Sequence, residues 1–126
     1  MSEVKEYITK EQQDGSVRIS EDVIASITSV AVREVEGVYG LSGNIGNDIA
    51  TILGKKTPDK GVKLVMTDNS VAVECNIIVK FNFSVVEVAK AVQERVAGAV
   101  EAMTGVRVDM VNVNVCGIVM PKTPKD

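Results

Sequence analysis

From Ser70 onward the chain alternates, turns helical, then alternates again. Val71, Val73, Cys75, Ile77, Val79 and Phe81 share one parity, while Glu74, Asn76, Lys80 and Asn82 share the other. A period of two sustained over that length predicts a long strand with one covered face. Val62, Leu64 and Met66 alternate with Lys63 and Thr67 just upstream. Asp68-Asn69 between them is a two-residue turn of types that tolerate left-handed backbone. Such a turn sets Met66 beside Val71 and Leu64 beside Val73, so both strands share an apolar face.

The period then changes. Ser84 and Glu87 form an S-x-x-E capping box, and Phe83 is placed to staple onto Val88. Val85, Val88, Ala89, Val92, Val96, Ala99, Val100 and Met103 make one broad helical stripe, and Gly105 supplies the stop. The last strand breaks phase: Val106, Val108 and Met110 hold one parity, Val111, Val113 and Val115 the other. That predicts a bulge near Met110, or burial on opposite faces at the two ends.

The first half repeats the scheme more briefly. Val17 to Ile19 reads as a short strand, and Ser20 as an N-cap followed by Glu21 and Asp22 on the first helical turn. Val23, Ile27, Val30 and Ala31 fall at helical spacing, with Ile24 and Val35 widening the stripe before Gly37. Val38 to Leu41 is a further strand. The segment 42–60 carries three glycines and Pro58 and reads as a mobile connection with a small apolar handle at Ile49, Ile52 and Leu53. Residues 1–15 are expected to be a flexible tail and 120–126 a disordered one, leaving a domain over 16–119. The expectation is a single small α+β domain with the order β-α-β-β-β-α-β. It has one mixed sheet and two helices packed on one face.

Composition narrows the chemistry. A chain of 126 residues suits one domain and buries about two thirds of its unfolded surface. Aromatics are only 3%, so the core must be aliphatic. A net charge of −3 and an isoelectric point near 5.0 argue against nucleic acid as a partner. The polar, acidic start lacks an apolar leader core, and no run approaches a membrane span. The expectation is a cytoplasmic protein whose membrane contact is borrowed from a partner.

The chain has no histidine, so the usual neutral-pH base and the Ser–His and Cys–His nucleophiles are missing. Glu87, Glu94 and Glu101 line one side of the second helix among Lys90 and Arg95, the pattern of a solvated face. Cys75 reads as a small core residue, and two thiols without histidine make a poor zinc site. Gly40, Gly43 and Gly46 do not match a dinucleotide fingerprint, and Gly54-Lys55-Lys56 lacks the hydroxyl of a phosphate loop. No catalytic, cofactor-binding or metal-binding residue is expected. The candidate interaction surface is Asn112 and Asn114, alternating on the last strand, with Lys55 and Lys56 in a local basic cluster.

Three stretches together carry a resemblance: "GSVRISEDVIASITSVAVREVEGVYGL" at 15–41, "KGVKL" at 60–64, and "VAVECNIIVKFNFSVVEVAKAVQERVAGAVEAMTGVRVDMVNVNVCGI" at 71–118. In these the chain resembles the alkaline shock protein family of Gram-positive bacteria, also described as envelope stress response proteins. The resemblance implies a non-enzymatic scaffold of cell-envelope homeostasis. Such a scaffold assembles with itself and is held at the inner face of the membrane by a membrane-anchored protein partner. It also leaves a second implication, a regulatory binding subunit for an enzyme of fatty-acid or lipid metabolism.

Overall fold

A computed structural model describes residues 7–43 and 61–121. Its centre is a strand, β5 (Ser70–Lys80), whose Val71, Val73, Cys75, Ile77 and Val79 are at most 1% exposed. A parallel strand, β6 (Arg107–Val119), runs along one side of β5. Along the other side lie two antiparallel strands end to end, β4 (Val62–Met66) and β3 (Val38–Leu41). The β4–β5 hairpin turns at Asp68-Asn69, with Met66 opposite Val71 and Leu64 opposite Val73 as the alternation requires.

Two helices cover one face of this mixed sheet. In α2 (Val85–Thr104) the Ser84 hydroxyl accepts from the Glu87 N–H at 3.3 Å. Gly105 closes the helix at φ +75°, its N–H bonded to the Glu101 carbonyl at 2.9 Å. Val88, Val92, Val96 and Val100 form the buried line at every fourth residue. Burying each is worth roughly 1.5 kcal/mol or more. Together that rivals the whole stability of an ordinary domain, about 5–15 kcal/mol. The stripe is narrower than the sequence suggests, because Met103 is exposed.

In α1 (Glu21–Arg33) the Ser20 hydroxyl caps the Val23 N–H at 3.3 Å. Its buried face is Ile24, Ala25, Thr28, Ser29, Ala31 and Val32, while Val23 and Val30 are exposed. The expected stripe is thus rotated about the helix axis. The helix is apolar nearly all round, so hydrophobicity alone does not choose a face. The side with Ala25, Thr28 and Ser29 is slim enough to pack closely where α1 meets α2, β3 and β4. At the end of α1, Gly37 has φ +98°, and a Cβ there would lie 2.8 Å from both Phe83 Cδ2 and Val88 Cγ2. Glycine is needed on both counts.

Two expectations change. Within the expected 1–15 tail, β1 (Tyr7–Gln12) pairs with β2 (Gly15–Ser20) around a two-residue turn at Gln13-Asp14. This second, two-stranded sheet is anchored by the fully buried Ile8 and by the Lys10 ammonium donating to the Gly105 carbonyl at 3.0 Å, and Arg18 stacks 4.7 Å from the Tyr7 ring centre between its two strands. A single apolar anchor in a polar run is too little signal for sequence reading. Phe81, assigned to the covered face of β5, lies past its end and is exposed. The α+β class, the mixed sheet and the two helices on one face stand as expected. The tail at 1–6, the connection from 44 to 60 and the tail at 122–126 lie outside the described residues.

Candidate interaction surface

The helices leave the other face of the sheet open. On it Val65, Ala72 and Met110 sit together at one end, Ile78 and Val119 at the other, with a polar centre between them. That centre holds Asn114, whose amide nitrogen donates to Glu74 Oε2 and Asn76 Oδ1, each at 2.8 Å. Asn112 is exposed on the same face, with its amide 3.5 Å from Met110 Sδ. Both sequence-selected asparagines therefore share one surface. Lys55 and Lys56 lie outside the described residues.

The free side of β6 is set by how β5 bonds. Asn76 receives the Ser42 N–H on its carbonyl at 2.8 Å and gives its own N–H to Gly61 O at 2.9 Å, both on the β3–β4 side. Successive residues of a strand turn their backbone groups to opposite sides, so those of Cys75 and Ile77 face β6. In a parallel ladder such residues bond to the neighbours of their register partners. Val113 and Val115, paired with Cys75 and Ile77, therefore point their own N–H and C=O away from the sheet. Val108 and Val111 do the same, and there α2 intervenes. Glu101 Oε2 accepts from the Val108 N–H at 3.0 Å, and Gln93 Nε2 donates to the Val111 carbonyl at 3.0 Å. Glu101 looked like solvated surface in the sequence. A signal for these caps exists in their spacing, eight residues or just over two helical turns, but it is meaningless until β6 is placed.

The phase break in β6 is a bulge at Asp109, skipped between Val108 and Met110, and a second one leaves Cys116 without a partner on β5. Asp109 Oδ2 accepts from the Ser70 hydroxyl at 2.7 Å, and Oδ1 accepts from Arg107 Nε and Nη2 at 3.0 and 2.8 Å. The Ser70 bond first and the Arg107 bonds second hold this carboxyl below its ordinary value of 3.8. Thr67 Oγ1 lies 2.8 Å from Ser70 Oγ, tying the β4–β5 turn to the bulge.

Reactive chemistry is sparse. Burial, aided by the Glu74 charge, pushes the Cys75 thiol up to about 11, so it stays protonated and unreactive at neutral pH. Cys116 is a free, exposed thiol. Among the described residues no three His, Cys, Asp or Glu side chains are grouped to hold a metal ion. Among them, too, no helix is long and apolar enough to cross a membrane. A shallow cleft of about 260 Å³ lies between Tyr39, Lys80, Phe81, Val119 and Met120. That is below the roughly 300–1,000 Å³ of small-molecule sites. None of the four aromatic rings is buried: Tyr7, Tyr39, Phe81 and Phe83 are all at least 37% exposed.

A half-covered mixed sheet, its open face polar at the centre and apolar at both ends, defines a small α+β domain. The chain belongs to the alkaline shock protein 23 family, described by its cell envelope-related function, which it matches over residues 9–120. It is 32% identical to the uncharacterised protein YqhY of Bacillus subtilis over 104 residues, covering 82% of this chain and 77% of that one. It is 33% identical to the uncharacterised protein Spy1614 of Streptococcus pyogenes over 108 residues, covering 84% and 89%. Among solved structures, MamM-CTD resembles it with a TM-score of 0.47 at 17% identity, over 76% of this chain and 96% of that one. A likeness that distant carries no functional information.

Proposed function

We propose that this chain is a non-enzymatic scaffold of the cell envelope, working by contact with other chains. It assembles with itself and is recruited to the inner face of the membrane by a membrane-anchored protein partner. The observation that carries the reading is the uncovered surface of the main sheet, where Asn112 and Asn114 sit among Val65, Met110, Ile78 and Val119. A folded domain that leaves this mixture of amide and apolar side chains open has a surface suited to another protein. The family's envelope-related description gives the setting.

The test separates protein-borne from lipid-borne recruitment. Purified protein is mixed with protein-free liposomes, with native inverted membrane vesicles, and with the same vesicles after protease treatment. Binding to the untreated native vesicles alone is expected. Binding to bare liposomes would overturn the partner-borne reading. A protein that stays monomeric and leaves all three preparations unbound would overturn the scaffold itself. Membranes that recruit it only through an enzyme of lipid synthesis would replace the scaffold with a regulatory subunit.

A further inference from the structure

The outward side of β6 changes character at Val111. Up to that point α2 satisfies it, through Glu101 on Val108 and Gln93 on Val111. Beyond, Val113 and Val115 direct N–H and C=O outward, with no partner for them among the described residues. Edge strands are commonly protected by lysine, proline or shortness. No charged residue and no proline falls between Val111 and Met120. Val113 and Val115 are only half-buried on the helix side, and Asn112 and Asn114 are exposed on the open side. A strand laid beside them must present apolar groups to one side and polar groups to the other. The β6 of a second copy has that alternation.

We infer that the stretch from Asn112 to Cys116 is a self-pairing edge. The β6 strands of two copies add antiparallel about a twofold axis normal to the sheet, giving one continuous sheet with both helix layers on the same side. This rests on the interaction reading above and names one of its contacts. The register follows from the caps. Val113 exchanges backbone hydrogen bonds with Val115 of the second copy, and Asn114 lies opposite Asn114. A register centred on Val113 would need the Val111 carbonyl, which Gln93 occupies. The paired stretch is about 17 Å long and about 10 Å deep. That is small beside the roughly 1,200 Å² of a stable interface, so the association is weak and concentration-dependent.

The test uses the full chain. Asn114→Cys in a Cys116→Ser background places two thiols opposite each other at a non-hydrogen-bonded pair. The Cα separation there is about 4.5 Å, inside the disulfide range of about 4.4–6.8 Å. Mild oxidation with glutathione disulfide should give a covalent dimer. The control, Lys63→Cys on the opposite edge in the same background, should give none. In the wild-type protein, amide exchange at Val113 and Val115 should slow as concentration rises. Asn114→Lys, which sets lysine against lysine, should weaken association about tenfold while keeping the wild-type circular dichroism. A protein that self-associates with these amides unaffected and no cross-link at 114 overturns the edge assignment and leaves the scaffold reading standing. A protein that remains monomeric at its highest soluble concentration, again without the cross-link, overturns the edge assignment, and the vesicle experiment then decides the scaffold.

Discussion

Along one side of β5 runs a single strand of 13 residues, and along the other run two pieces of 4 and 5 residues. The second edge is short, interrupted and carries Lys63, the features that discourage pairing with another chain. The first edge has no charge between Val111 and Met120, and the bulge at Asp109 and the two side chains lent by α2 all act at or before Val111. A sheet needs both edges managed if the protein is to stay alone. Here one is managed by the chain path itself and the other only over its first third. The difference locates the surface available to partners more sharply than composition does.

The largest effect should come from the support both edges share. Val92 is fully buried on the inner side of α2. Val92→Asp would put a carboxylate there at a cost on the order of 4 kcal/mol, enough to unfold most domains of this size. Thermal melting by circular dichroism should show no cooperative transition, or one lowered by tens of degrees. A variant melting within a few degrees of wild type would mean that α2 does not bear on the sheet.

The next variant strikes one edge. Gly61 has φ +90°, and a Cβ there would lie 2.9 Å from the Ser42 carbonyl oxygen. Gly61→Ala should cost about 1–3 kcal/mol in urea unfolding. Amide exchange should quicken in β3 and β4 and stay unchanged in β6. Equal loosening of both sides would show that the two edges are held as one unit.

A subtler probe acts at the start of the long edge. The Asp109 carboxyl is held below its ordinary value, so its ionised form favours the folded state. That contribution is present above the ordinary carboxylate range and is lost as pH falls through the lowered value. Asp109→Asn should melt below wild type at neutral pH, and the two curves should converge under acid. Parallel curves across the whole range would show that the Ser70 and Arg107 bonds add nothing.

The smallest effect concerns the gap in the split edge. Ser42 supplies to Asn76 the N–H, and Gly61 the C=O, that one residue would supply in an unbroken strand. Deleting residues 43–61, so that Ser42 joins Val62, should therefore give one continuous edge. Stability should move by no more than about 1 kcal/mol, because closing a loop of that length costs little more than closing a short one. A large loss on deletion would make the segment part of the core.

Much of this was readable from local rules. The caps at Ser20 and Ser84, the stop at Gly105, the turn at Asp68-Asn69 and the alternation of β5 each depend on residues within a few positions of one another. The covered face of α1 did not follow: the helix is apolar nearly all round, and Thr28 and Ser29 go in while Val23 and Val30 stay out. The hairpin at β1 hangs on Ile8, whose burial depends on elements far along the chain. The asparagines of the open face were visible as an alternation. The outward groups of Val113 and Val115 were not, since their direction follows from the parallel register with Cys75 and Ile77.

The surface position of every aromatic ring has an optical consequence. With no tryptophan in the chain and both tyrosines outside the aliphatic core, near-ultraviolet dichroism and intrinsic emission sense that core only indirectly. The same signals come from Tyr7, stacked under Arg18, and from Tyr39 beside the cleft at the end of the sheet. Near-ultraviolet light absorbed by this protein thus reports first on what touches Tyr7 and Tyr39, and the peptide-bond signal is the one that reports on its interior.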